Sequence, residues 1–192
     1  MVLPGVTLDD PSSPDVKLGR TLIDATTLQA GVARLASEID RDQNGRQATL
    51  VGILKGSIFF LCDLVKKLET PVKLDFLQVS SYGSGTESSG NVRLFGGDPL
   101  IDVAGQEVVI VEDIVDTGRT LQKIIALLSR GNPKSIRICT LLRKRTPESQ
   151  AISLDYLGFE IDNHFVVGYG LDYAEAYRNL PYIAILEREG RE

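Results

Sequence analysis

Val108-Val109-Ile110-Val111-Glu112-Asp113-Ile114-Val115-Asp116-Thr117-Gly118-Arg119-Thr120 packs a strand, three carboxylates and a glycine turn into one short run. The four consecutive β-branched residues fit a strand covered on both faces, as in a parallel sheet. Glu112 and Asp113 then fall at the carboxyl end of that strand, where open α/β sheets collect their ligands. Thr117, Gly118 and Thr120 lead into a helical pattern of Leu121, Ile124, Ile125 and Leu128. Unpaired N–H groups at a helix start attract a phosphate, and glycine lets the backbone come close to it. Carboxylates beside such a turn suit a sugar phosphate, because acids accept hydrogen bonds from neighbouring hydroxyls while the turn holds the phosphate. The plain alternative is a solvated acidic strand end next to an ordinary helix cap. The ordered combination favours the first reading.

Strand and helix patterns alternate outward from this run. A helix is predicted after Thr26 or Thr27, with Leu28, Val32, Leu35 and Ile39 on one face and Asn44-Gly45 ending it. Residues 49–54 read as a buried strand, 58–68 as a mostly buried helix and 73–80 as an alternating strand. The central strand covers 108–112, a helix follows over 121–129, and another strand over 136–142. This order predicts an α/β fold with a mainly parallel twisted sheet flanked by helices and right-handed crossovers. Pro4, Pro11 and Pro14 predict an irregular start through the first twenty residues. Without an internal repeat or a dividing linker, residues 1–192 are expected to form one domain. The Gly/Ser-rich stretch 82–90 reads either as a connector to a strand over 91–95 or as a lid that closes on substrate. It lacks the third glycine and following helix of a dinucleotide motif.

Bulk properties narrow the classes. A net charge of −5 and no basic block argue against nucleic-acid binding; Arg143-Lys144-Arg145 is too short to reverse that. No basic-then-apolar leader or bilayer-length apolar run is visible, so no membrane partner is expected. Cys62 and Cys139 lack metal-ligand spacing; both are expected to be buried free thiols, which suits a cytoplasmic location.

Three further segments carry chemistry. Gly52-Ile53-Leu54-Lys55-Gly56-Ser57 ends a strand and opens a helix, making a second anion-binding turn with a cation attached. Leu141-Leu142-Arg143-Lys144-Arg145-Thr146-Pro147 ends a strand with three cations, one of which is expected to reach back into the site. In 158–173, Phe165 sits among valines, a setting that serves core packing as readily as ring stacking. His164, the only histidine, has no Ser or Cys partner to suggest a triad and is expected at the surface.

The 108–120 run closely resembles the phosphoribosyl pyrophosphate motif of type I phosphoribosyltransferases. The four segments together, over roughly 49–186, are similar to hypoxanthine-guanine phosphoribosyltransferases, especially bacterial ones. The resemblance implies the type I phosphoribosyltransferase fold, with a small hood over the carboxyl edge built from parts of the N-terminal region and about 144–192. It implies that Glu112 and Asp113 hold the ribose hydroxyls, and that Asp116, Thr117, Gly118, Arg119 and Thr120 wrap the 5′-phosphate. Arg119 stands where several members carry Lys or Asn. Pyrophosphate would lie on Lys55, Gly56, Ser81, Tyr82 and Arg178, with a cis peptide between Leu54 and Lys55. The purine would meet Lys144 at its 6-oxo group, Phe165 by stacking, Val166 through main-chain groups, and Asp172. The implied cofactor is Mg2+, with Glu112, Asp113 and Asp172 as its ligands, and Asp116 is the implied acid/base at purine N7. The implied reaction is purine salvage: hypoxanthine or guanine and phosphoribosyl pyrophosphate give IMP or GMP and pyrophosphate. A homodimer or homotetramer is implied too. The chain departs from the pattern in its proline-containing start and at His164.

Rival readings are a phosphoribosyltransferase for another base, such as xanthine or a pyrimidine, and a phosphoribosyl-pyrophosphate-sensing regulator that binds nucleic acid. The acidic balance and the retained Asp116 and Lys144 argue against the regulator. A magnesium-diphosphate motif of isoprenoid enzymes is excluded, because those acids belong on a helix and here a strand leads into them.

Overall fold

A computed structural model describes residues 16–80, 91–94 and 102–188. The proposed lid at 82–90, together with Ser81 and Phe95, lies outside the described residues. The main sheet contains β2 (Ala48–Leu54), β3 (Val72–Ser80), β4 (Asn91–Leu94), β5 (Glu107–Val115), β6 (Ser135–Lys144) and β7 (Tyr156–Ile161). Its order is β4-β3-β2-β5-β6-β7, with five parallel strands and β4 antiparallel at one edge. A second, three-stranded sheet has the order β1-β9-β8 and contains β1 (Val16–Ile23), β8 (Val166–Val167) and β9 (Ile183–Arg188).

The β-branched run explains the layering. Successive strand residues point to opposite faces. Val109 and Val111 accordingly pack with Leu28, Val32 and Leu35 of α1 (Ala25–Gln43) and Phe60, Leu61 and Leu64 of α2 (Ile58–Val65). Val108 and Ile110 pack on the other face with Leu121, Ile124 and Leu128 of α3 (Arg119–Ser129). Both faces are therefore sealed, and all four side chains are buried. Ile23, Val166, Ile183 and Ile185 join the first of these cores, which fastens the small sheet to the large one.

Several boundaries differ from the sequence reading. α1 starts earlier than Thr26, because the Asp24 carboxylate accepts from the Thr27 N–H at 2.8 Å and caps it. Its other end follows expectation, with Asn44 in the left-handed region at φ 48°. α2 stops at Val65, and its last turn tightens as Lys67 and Leu68 N–H groups donate three residues back. Ile58, Phe59 and Cys62 are exposed, so this helix is less buried than expected and only Cys139 is a buried thiol. Residues 16–20, expected to be irregular, belong to β1, which β9 holds by antiparallel pairing. No helix among the described residues is long and apolar enough to cross a membrane.

Candidate active site

Strand order reverses between β2 and β5: the chain leaves β2 for β3 on one side and returns through β5 on the other. Loops after two such strands diverge and leave a crevice at the carboxyl edge. The anion-binding turn after β2 meets it at Lys55 and Gly56, and the turn after β5 meets it at Asp116. β5 itself runs three residues past its expected end, because Ile114 and Val115 stay in register with Leu142 and Arg143 of β6. Glu112 and Asp113 consequently sit within the strand's last turns of pleat and are held by the ladder.

A cavity of about 550 Å³ occupies the crevice. It gathers Lys55, Gly56, Asp113, Asp116, Lys144, Phe165, Val166, Asp172 and Arg178, which come from β5, β6 and β8, from the turns after β2 and β5, and from the segments on either side of β8. Leu54, Gln78, Ile114, Leu171 and Glu175 line it as well and were not foreseen. Gln78 was accessible to reasoning, since it is the β3 partner of Leu54 at the same sheet edge. Glu112, Thr117, Gly118, Arg119 and Thr120 lie outside the lining, while Ser81 and Tyr82 fall outside the described residues.

The turns are built from backbone. The Leu54–Lys55 peptide is cis. Gly56 follows, and a Cβ there would overlap the Asp113 carboxylate, so only glycine lets this turn lie against the acid. Ser57 is wholly buried and its hydroxyl donates to the Ile53 carbonyl at 2.6 Å, tying the turn to its strand. At the other turn Gly118 is the N-cap of α3 at φ 69°, with no side chain bonded to the helix's first N–H groups. That leaves the N–H groups and the positive end of the helix dipole available to an anion.

The carboxylates divide into two kinds. Asp116, Asp172 and Glu175 are each paired with a cation. Lys144 Nζ meets Asp116 Oδ2 at 2.9 Å, Arg178 Nη2 meets Asp172 Oδ1 at 2.8 Å, and Lys55 Nζ lies 3.1 Å from Glu175. Hydrogen bonding from Lys55 holds the Glu175 carboxyl below its usual range. The pair Glu112 and Asp113 has no such cation. Burial, then the neighbouring Asp113 charge, pushes Glu112 well above the ordinary glutamate value, and burial also raises Asp113. Glu112 Oε2 is buried without a hydrogen-bond partner. Arg178 Nε is buried and unpartnered too, although Nη1 of the same side chain donates to the Gly170 carbonyl at 2.8 Å.

Phe165 is 49% exposed and sets its ring edge-on to Tyr173, with centroids 5.8 Å apart. It stands on the cavity wall, so the core-packing alternative does not hold for it. His164 is partly buried on the turn before it, and its N–H donates to the Asp162 carbonyl. Among the described residues no three His, Cys, Asp or Glu side chains converge as a metal-binding group. Glu112, Asp113 and Asp172 therefore do not form an all-protein cage, because Asp172 is engaged by Arg178 and by the Glu175 N–H at 2.9 Å. Two cavity carboxylates, Asp113 and Asp172, still fit the donor set of Mg2+, which keeps waters and takes substrate oxygens alongside one or two acids.

Residues 21–174 match the phosphoribosyl transferase domain family. The chain belongs to that family. It is 46% identical over 170 residues to the bifunctional protein TilS/HprT of Listeria innocua, covering 88% of this chain and 26% of that protein. It thus spans about a quarter of that relative's length. It is 45% identical over 172 residues to the hypoxanthine-guanine phosphoribosyltransferase of Mycobacterium avium, covering 86% of this chain and 84% of the relative. A crystal structure of a hypoxanthine phosphoribosyltransferase from Staphylococcus aureus superposes with a TM-score of 0.80 at 40% identity, over 94% of this chain and 96% of that one. The type I phosphoribosyltransferase fold expected from the sequence is the fold observed.

Proposed function

We propose that this phosphoribosyltransferase salvages purines, joining hypoxanthine or guanine to phosphoribosyl pyrophosphate to give IMP or GMP and pyrophosphate. The observation that carries the reading is the meeting of Lys144, Asp116, Asp113, Lys55 and Phe165 around one cavity at the switch point. Those residues supply a base-edge donor, an acid/base, a hydroxyl acceptor, a diphosphate cation and a stacking ring. Good relatives of this chain bear the matching name.

In this reading the anomeric C–O bond to pyrophosphate breaks as purine N9 forms the new bond to the same carbon, and the base gives up a proton. Asp116, half exposed at the rim, takes that proton at N7. Lys144, only 12% exposed, donates to the 6-oxo group and leaves the 6-amino group of adenine without an acceptor. Glu112 and Asp113 accept from the ribose hydroxyls, which accounts for carboxylates without an ion-pair partner among the described side chains and, at Glu112, an orphan oxygen. Residues 116–120 hold the 5′-phosphate through the open start of α3. Lys55, Gly56 and Arg178 face the diphosphate, with Ser81 and Tyr82 as further candidates from the sequence. Phe165 stacks on the base and Val166 bonds its edge through the main chain. When bound through Asp113, Asp172 and substrate oxygens, Mg2+ would neutralise charge on the departing diphosphate. Exposed Ile58, Phe59 and Leu74 support self-association as a homodimer or homotetramer, and the two free thiols support a cytoplasmic setting.

One assay tests the reading: hypoxanthine, guanine, xanthine, adenine and uracil, each with phosphoribosyl pyrophosphate, with and without Mg2+. Nucleotide formation from the two 6-oxopurines, absent with adenine and uracil, is the expected pattern. Preference for uracil or adenine would refute it.

A further inference from the structure

Glu175 reaches into the cavity from a backbone that side chains seldom choose. Ala174 and Glu175 lie at φ 49° and 66°, and Tyr177 follows at φ 71°. The Glu175 N–H is tied to Asp172 Oδ2 at 2.9 Å, which fixes where the side chain begins. Both carboxylate oxygens stand 3.1 Å from Lys55 Nζ, and Oε2 stands 3.4 Å from Arg178 Nη2. One acid thus bridges two cations, one from the turn after β2 and one from the segment between β8 and β9. Lys55 and Arg178 are the cations proposed for the diphosphate, so this inference rests on that reading.

We infer that Glu175 is an internal stand-in for the diphosphate: it holds Lys55 and Arg178 and must release both when pyrophosphate or phosphoribosyl pyrophosphate binds. The bridge suits displacement. Lys55 and Glu175 side chains are 55% and 66% exposed, so water screens their attraction and the pair is weak. A diphosphate brings several charged oxygens and outcompetes a single carboxylate. Once displaced, Glu175 remains tethered beside the bound polyanion, and like charges at close range favour its departure. Glu175 is therefore a positioning residue that sets diphosphate affinity and release, and it touches no reacting atom.

The test uses the full chain and Mg2+-pyrophosphate, with dissociation constants from titration calorimetry and steady-state kinetics beside them. Glu175→Gln removes the competing charge, and pyrophosphate should bind about two- to five-fold tighter, the size of a solvent-screened ion pair. KM for phosphoribosyl pyrophosphate should fall by a similar factor while kcat does not rise. Glu175→Asp keeps the charge and should stay near the parent protein. Thermal unfolding of both variants checks that they fold. Unchanged or weaker pyrophosphate binding in Glu175→Gln overturns the inference; weaker binding is what a merely structural strut for Lys55 would give. Loss of the underlying reading has a different signature. If Lys55→Met leaves pyrophosphate binding untouched, the diphosphate assignment fails, and this inference with it.

Discussion

Replacing Gly56 by alanine tests the most crowded contact in the crevice. A Cβ built there overlaps Asp113 Oδ2 and lies 2.6 Å from Asp113 Cγ. Carbon atoms in ordinary contact sit about 3.5–4.0 Å apart, so turn and carboxylate must separate by roughly 1 Å. Gly56 is not in the left-handed region, so the penalty comes from contact alone. The carboxylate cannot swing away freely, because Asp113 Oδ1 accepts from the Ile114 N–H at 2.9 Å. Overpacking of this kind costs about 1–3 kcal/mol, which for a chain of this size lowers Tm on the order of 5 °C. Displacing a substrate-positioning group by ~1 Å lowers kcat/KM by about 100-fold. The paired control is Asp113→Ala, alone and with Gly56→Ala. Removing the carboxylate makes room for the methyl group, so the second substitution should cost little stability once the first is present. The coupling should be on the order of 0.5–3 kcal/mol. Thermal melts give the stability part, and nucleotide formation from hypoxanthine gives the catalytic part. Parent-like melting and activity in Gly56→Ala, or strict additivity in the cycle, would show that turn and acid do not meet as described.

Two other perturbations read different parts of the molecule. Asp116→Asn keeps shape at a half-exposed site, so unfolding should be unchanged within about 0.5 kcal/mol while kcat drops about 100-fold or more; near-normal kcat in that variant removes Asp116 as the acid/base. Glu107 is buried at the start of β5, between Arg46 at 2.8 Å and Lys134 at 2.7 Å, and hydrogen bonds from these two draw its carboxyl down to about 2. A depressed carboxyl stabilises the fold above its unfolded value and loses that contribution as pH falls towards about 2, so stability should decline between about pH 4.5 and 2. Glu107→Gln should cost about 1–3 kcal/mol at pH 7 and flatten that decline in denaturant titrations; an unaltered acid limb would contradict the assignment.

How far the sequence foretold this arrangement depends on whether each signal was local. The run 108–111 was legible because its residues fill both faces of a buried strand, and the glycine turns because they follow strands directly. The end of β5 was not, since pairing with β6, nearly thirty positions away in the chain, keeps Ile114 and Val115 extended. The exposure of Cys62 was hidden because α2, Ile-Phe-Phe-Leu-Cys-Asp-Leu-Val, is apolar almost all round and shows no stripe to orient it. β1 followed a proline-rich start and owes its form to β9, at the far end of the chain. Glu175 is a single acid between two alanines with no motif of its own, and it finds Lys55 across 120 positions.

The charges of the site follow a common logic once the two kinds of acid are separated. Lys144, Lys55 and Arg178, the three cations proposed to grip substrate, each have an acid partner on the cavity wall. Binding then exchanges one partner for another, and no cation need stand unpaired in a half-buried pocket at either stage. Glu112 and Asp113 are different: among the described residues neither forms an ion pair, and both are pushed above their ordinary values. Acids assigned to neutral hydroxyls need acceptor lone pairs that no side-chain cation of the protein already holds. The same division separates the groups that must let go when substrate arrives from those that wait for it.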